Sequence, residues 1–261
     1  MRSASRRTRW PRLDGPDGSR NRRRIARPSI RDRIARLDWV AIERALDERG
    51  YATIPSLVAR DECARLAALY RDERRFRTRV DMARHRFGEG EYKYFSAPLP
   101  LLVAAPRAAL YTRLVAVANR WAAALGTETY PPTHAAYLAR CAAAGQQRPT
   151  PLLLRYTSGG YNCLHQDLYG PLVFPLQLTC LLNEVGEDYT GGEFLLVEQR
   201  PRQQSRGEAI ALRRGDAIVF AARHRPVTGA RGVYRVTMRH GVSRIRSGER
   251  VSLGIIFHDA A

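Results

Sequence analysis

His165 and Asp167 stand one residue apart in the stretch YNCLHQDLYG, residues 161–170, between two apolar runs. In an extended chain residues i and i+2 face the same way, so the imidazole and the carboxylate point to one side. Aimed together into a core they are costly unless something pairs with them, and a metal ion is one such partner. Two protein ligands hold a metal poorly, so a third is expected from another strand. His240 ends the segment GVYRVTMRHGV, where period two puts Tyr234, Val236 and Met238 on its own face. Two histidines and a carboxylate suit non-haem Fe(II), with adjacent positions left open for substrate and dioxygen. Zinc fits less well, because no adjacent Cys or Glu completes a familiar zinc set. His224, in FAARHRPVTGARG, competes for the third place, but the Pro and Gly after it suggest a loop. His85, His134 and His258 are expected on surfaces or at strand ends, and Cys163 as small core filler on the ligand face.

Ten residues after His240 comes Arg250, in GERVSLGIIF. Arg250 and Ser252 share one face of that strand, while Val251, Leu253 and Ile255 take the other. A guanidinium fork and a hydroxyl pointing inward need a buried anion. The distal carboxylate of 2-oxoglutarate suits them, since the fork can bind both oxygens at once.

The elements that must position these residues change character along the chain. DWVAIERALDERG reads as a helix capped by Asp38 and stopped by Gly50, YATIPSL as a short strand, and ARDECARLAALYRDERRF as a second helix. Residues 82–100 lose all periodicity and read as a long aromatic loop, a candidate for function. Tyr92, Tyr94 and Phe95 in it are either packing under a lid or stacking surfaces for a substrate ring. A third helix is expected from about Arg107 to Leu125, and a fourth from Thr133 to near Gly145. From Pro151 onward, seven or eight short apolar or alternating segments separated by turn residues imply a β-sandwich or barrel. The fold class is therefore α+β, helices first and a β-core after. Its expected parts are a tail (1–36), a mainly helical supporting region (37–150) and a catalytic core (151–261), the last two forming one folded unit.

Composition narrows the setting. The chain has 261 residues, 44% of them hydrophobic, enough for one sizeable core. No apolar run approaches the 18 residues a membrane span needs, and no apolar segment follows the arginine-rich start, so neither a span nor a secretory signal is expected. Four cysteines without CxxC spacing point to a reducing, cytoplasmic compartment. The net charge is +19. Residues 1–36 hold 13 Arg against three Asp, a contribution of +10, which leaves +9 for the rest. The tail reads as a solvated, disordered extension or a misassigned start. The basic body favours an anionic partner such as DNA. Arg223, Arg225, Arg231 and Arg235 are either a solvated charge run or contacts to a phosphate backbone. Oligomeric state is not readable.

The series HQD, then GDAIVF, then HGVSRIRSGERVSLGIIF resembles the Fe(II)/2-oxoglutarate-dependent dioxygenases, whose motif is HxD…H with Arg or Lys about ten residues on. LLLRYTSGGYNCLHQD is similar to the entry strand of prolyl hydroxylases, and LDERGYATIPSLVARDEC to the helix–strand–helix lead-in of the same superfamily. The likeness spans roughly residues 38–261. More narrowly, the chain resembles a bacterial family described as oxygenases acting on methylated or damaged DNA. This resemblance implies a double-stranded β-helix, a jelly roll of two sheets. It implies iron on His165, Asp167 and His240, and 2-oxoglutarate on Arg250 and Ser252. Tyr156 or Tyr161 would hydrogen-bond the co-substrate. Dioxygen is consumed, ascorbate could serve as a reductant, and hydroxylating an N-methylated base would release formaldehyde. The alternatives are a protein or small-molecule hydroxylase, and a silent nucleic-acid-binding module on the same scaffold.

Overall fold

A computed structural model describes residues 27–230 and 232–261. Its first half runs α1 (Ile30–Ala35), α2 (Trp39–Arg49), β1 (Tyr51–Ile54), α3 (Arg60–Ala68), β2 (Phe76–Asp81), β3 (Gly88–Glu89), β4 (Glu91–Phe95), α4 (Leu101–Leu125) and α5 (His134–Ala143). The second half is all strand: β5 (Leu152–Thr157), β6 (Tyr161–His165), β7 (Leu176–Leu181), β8 (Tyr189–Gly191) and β9 (Phe194–Gln199). It continues with β10 (Arg206–Ile210), β11 (Ala217–Ala221), β12 (His224–Gly229), β13 (Gly232–Val242) and β14 (Ile245–Ile256).

Among the described residues the strands form two antiparallel sheets. The larger has the order β1-β11-β7-β14-β5-β4-β2, with β8 added on β14, and the smaller β10-β9-β13-β6-β3, with β12 on β13. This is the expected α+β jelly roll. One apolar cluster lies between the sheets, with Leu181, Phe194, Ile218, Phe220 and Ile245 at its centre. A larger one joins the helices to the outer face of the large sheet. Helix α4 supplies much of it, because Leu110, Leu114, Val117 and Trp121 recur every three or four residues, with Val103 two turns earlier, and all are buried. Arg107 on the same face is also buried, and its guanidinium clamps the helix to the chain end through the Ile256 and His258 carbonyls and Asp259.

Several expectations are corrected. The folded part does not start at 37: Ser29 caps α1, whose Ile30 and Ile34 are buried, while residues 1–26 of the expected tail lie outside the described residues. The supporting region is not only helical, since β1, β2 and β4 extend the large sheet and β3 edges the small one. The segment 82–100 is thus not all loop, since Gly88–Glu89 and Glu91–Phe95 within it are paired strand. Helix α4 begins at Leu101, with Pro106 inside it. It is also long and apolar enough to cross a membrane, contrary to the reading of the sequence, although more than half of that stretch is buried within the fold. His134 is buried rather than superficial, with Nε2 2.8 Å from the Phe257 carbonyl, and His258, just past the end of β14 as a strand-end residue, is buried too, its Nδ1 accepting from the Phe174 amide. Burial pushes both imidazoles down to about 4. His224 sits in a strand, opposite Thr237.

Arg225 changes role altogether. It is 1% exposed, paired with the buried carboxylate of Glu198, and donates to the carbonyls of Asp47 and Glu48 at the end of α2. Gly50 leaves it room, since a Cβ there would come within 2.7 Å of Arg225 Cδ. Arg225 therefore ties the small sheet to α2 and cannot reach a phosphate. Truncating one partner of a buried pair strands the other charge. Arg225→Ala is expected to cost about 3 kcal/mol, the low end of the usual range, because Arg200 remains on Glu198. A urea titration measures it, and a midpoint equal to the wild type would return Arg225 to the surface charge run.

Candidate metal and anion site

Antiparallel register brings the histidines together. His240 on β13 is the direct partner of His165 on β6, and their rings lie 4.2 Å apart between centroids. Asp167 follows two residues beyond the end of β6 and turns its carboxylate between them, with Oδ1 3.6 Å from His165 Nε2 and Oδ2 3.4 Å from His240 Nε2. One donor atom from each of the three lies within 4.8 Å of the others, a spacing one metal ion can bridge.

The surroundings orient these donors. His165 Nδ1 lies 2.8 Å from the Cys163 carbonyl; donating there leaves the Nε2 lone pair facing Asp167 and His240. Tyr169 donates to Asp167 Oδ1 at 2.8 Å and receives a bond from Tyr94. Gln177 on β7 donates to Asp167 Oδ2 at 2.9 Å and lies 3.2 Å from His240 Nε2, so its amide bridges two of the three donors. Burial alone would raise the Asp167 carboxyl, but the hydrogen bond and charge of His240, with the charge of His165, hold it well below the usual carboxylate range. His240 is lowered by burial and by the neighbouring His165. An ionised Asp167 carboxylate beside a His240 imidazole whose proton affinity is lowered suits a metal, which needs its ligands deprotonated.

These residues line a cavity of about 410 Å³. Leu152, Leu154, Phe194, Val242 and Ile256 form apolar walls, and Arg250 and Ser252 lie deeper. Arg250 is 1% exposed, yet among the described residues its Nε has no hydrogen-bond partner, and Nη1 bonds to Ser252 Oγ at 3.1 Å. Gly192 makes the space, because a Cβ there would meet Arg250 Cδ at 2.9 Å. Register also separates the two tyrosines. Tyr156 is the cross-strand partner of Arg250, sits under its guanidinium at 5.8 Å and lines the cavity, and burial pushes its phenol up to about 12. Tyr161 is not among the lining residues and carries Arg244 over its ring at 5.0 Å.

The other candidates disperse. Cys163 is exposed at the cavity mouth rather than packed in the core. Tyr92 lines the cavity, whereas Tyr94 is buried behind it with its hydroxyl on Tyr169, out of reach of a substrate ring; Phe95 is fully buried core. His224, with the exposed Arg223 and Arg235, borders a separate cavity of about 250 Å³ beside Trp121 and Tyr130. Gln166 donates to the Arg223 carbonyl, joining that rim to the segment carrying His165 and Asp167. Arg231 lies outside the described residues. Sequence reasoning missed Gln177, Tyr169 and Gly192. Of these Gln177 had a signal, a lone amide in the apolar run FPLQLTCLL.

The family Oxygenase-NA, described as an oxygenase catalysing oxidative methylation of damaged DNA, matches residues 90–260. An uncharacterised protein of Mycobacterium tuberculosis strain H37Rv is 52% identical over 168 residues, which is 64% of this chain and 72% of that protein. Among solved structures, a Pseudomonas putida prolyl-4-hydroxylase has 17% identity and a TM-score of 0.50, covering 83% of this chain and 96% of its own. The non-haem α-ketoglutarate-dependent epimerase SnoN from nogalamycin biosynthesis has 16% identity and a TM-score of 0.50, covering 83% and 80%. At these identities the two structures speak for the fold alone.

Proposed function

The chain belongs to the Oxygenase-NA family and is a dioxygenase, and we propose that it uses Fe(II) and 2-oxoglutarate to oxidise alkylated bases in DNA. The observation that carries the cofactor reading is the pairing, in one cavity, of a His–Asp–His donor set with a buried guanidinium that has no ion-pair partner among the described residues. The residues fit both groups. His165, Asp167 and His240 would hold the metal, and two nitrogens with one carboxylate oxygen suit Fe(II). Arg250 and Ser252 would hold the distal carboxylate of 2-oxoglutarate, with Tyr156 beside them. When bound, iron and 2-oxoglutarate supply oxidation: dioxygen gives one oxygen atom to a substrate C–H bond and one to succinate, with release of CO2.

The chain's own part is placement. Tyr169 and Gln177 fix the Asp167 carboxylate, and the Cys163 carbonyl fixes the His165 ring. The apolar walls keep bulk water from the reacting carbon. A base within a duplex could reach this cavity only if flipped out or presented in a single strand. DNA is supported by the family description, by the +9 left on the body of the chain, and by the exposed Arg223 and Arg235 on the separate rim that Gln166 ties to the segment carrying His165 and Asp167. The unpaired cysteines suit the cytoplasm, where we also place the protein.

Oxygen insertion into an N-methyl C–H bond leaves a hydroxymethyl group that departs as formaldehyde, so this chemistry would remove methyl groups. Aerobic incubation with Fe(II), 2-oxoglutarate and a panel of methylated oligonucleotides, read by mass spectrometry, is expected to show demethylated strands and formaldehyde in step with succinate. Succinate formed with every oligonucleotide unchanged would remove DNA as the substrate. Hydroxylation of a peptide without formaldehyde would put a protein hydroxylase in its place.

A further inference from the structure

We propose that Phe87, at the mouth of the cavity, is the surface on which an unstacked base of the DNA substrate rests. The inference deepens the DNA reading above and depends on it. Among the described residues seven large apolar side chains are exposed, and three of them, Phe87 (48%), Leu164 (44%) and Leu168 (45%), line this one cavity. Apolar surface gathered at the entrance of a site marks a contact with a partner, whereas scattered exposure does not.

Phe87 is held there by its backbone. Its carbonyl accepts from the Cys163 amide at 2.8 Å, which places it one strand across from the residues leading to His165. On one side Arg86 adopts a left-handed conformation, φ 59°, uncommon for a residue with a side chain. On the other, Gly88 has φ 132° and approaches β6 so closely that a Cβ would lie 2.3 Å from the Tyr161 carbonyl oxygen. Unfavourable backbone of this kind persists where the fold requires a particular placement, and here it presents a phenyl ring to solvent. His85 stacks on that ring at 5.3 Å and 21°, stiffening it from one side.

The occupant must be flat, partly apolar and compatible with positive charge. The exposed Arg86 lines the same mouth. A nucleobase with its phosphate meets all three demands, since an aromatic platform stacks any base and a guanidinium beside it takes the backbone. Continuity with the cavity makes this base the target itself or its immediate neighbour.

The test uses the full chain and a single-stranded oligonucleotide carrying 2-aminopurine, whose fluorescence falls on stacking. Wild type is expected to bind and quench. Phe87→Ala should lose the quenching and bind about 5- to 150-fold more weakly, the range found when a stacking aromatic is truncated. Phe87→Trp should keep both, and Phe87→Leu, which keeps apolar bulk without a ring, should behave as alanine does. Equal quenching and affinity in Phe87→Ala, or recovery in Phe87→Leu, overturns the stacking role while leaving DNA as substrate. Urea midpoints of all variants guard against misfolding, and if alanine unfolds the protein the Leu–Trp comparison decides. A wild type that binds no oligonucleotide at low salt overturns the DNA reading and this inference with it.

Discussion

His165→Ala, Asp167→Ala and His240→Ala should each emerge from dialysis against iron with an empty site and form no succinate. Each of the three supplies one donor to a cluster whose members lie within 4.8 Å of one another. Removing any one leaves two protein ligands, too few to hold a divalent ion against water and buffer. Losing a mere outer-shell partner commonly weakens metal binding by about 10- to 100-fold, so loss of a ligand should exceed that. The three variants should differ in a second respect. Asp167→Ala removes the only negative charge among the donors and leaves two imidazoles with ring centroids 4.2 Å apart, so its iron loss should be the most complete. His224→Ala should keep its iron, because that imidazole faces the second cavity across from Thr237 and lies outside the cluster. Elemental analysis of the purified variants is the measurement. An iron-free His224→Ala beside an iron-loaded His240→Ala would transfer the third ligand from one strand to its neighbour.

Why the gathering of His165, Asp167 and His240 could be read in advance, and which tyrosine lies beside Arg250 could not, is a matter of locality. His165 and Asp167 are adjacent on a period-two pattern, and Arg250 and Ser252 likewise, so face and parity follow from short stretches. The choice between Tyr156 and Tyr161 depends on which one β14 brings opposite Arg250, and that register is set by strand pairing far along the chain. Arg225 was misjudged for the same reason. Its partner Glu198 is 27 residues away and its carbonyl acceptors more than 170, so within its own segment it is indistinguishable from the exposed Arg223. The segment 82–100 hid strands β3 and β4 behind Gly and Pro, which usually mark turns. Here Gly88 and Gly90 permit close approach to β6 and Tyr156 instead. Helix α1 has six residues, too few to show a period, and only its cap and two buried isoleucines reveal it.

Arg250→Met should raise the 2-oxoglutarate requirement about a hundredfold or more, with iron still bound, and should also make the ligand-free protein more stable. The two expectations come from one comparison. Arg225 and Arg250 are each 1% exposed, but Arg225 faces the carboxylate of Glu198 whereas among the described residues Arg250 faces none. A buried guanidinium without an anion is a standing cost, because its lost hydration is not returned by a partner. Ser252 Oγ, the Tyr189 phenol and the face of Tyr156 offset part of it, yet Nε stays unsatisfied. Methionine fills similar space beside Gly192 without the charge, so stability should rise, as it does when a destabilising functional group is removed. In the presence of 2-oxoglutarate the order should reverse. Wild type gains stability as the carboxylate completes the pair, growing with the logarithm of ligand over its dissociation constant, and the variant gains almost none. Removing one member of a buried charge pair typically costs about 3–5 kcal/mol, hence the hundredfold or larger loss. Thermal unfolding with and without 2-oxoglutarate, alongside a titration of succinate formation, reads both effects. If the variant is stabilised by 2-oxoglutarate as strongly as the wild type, the co-substrate carboxylate binds elsewhere and Arg250 needs another anion.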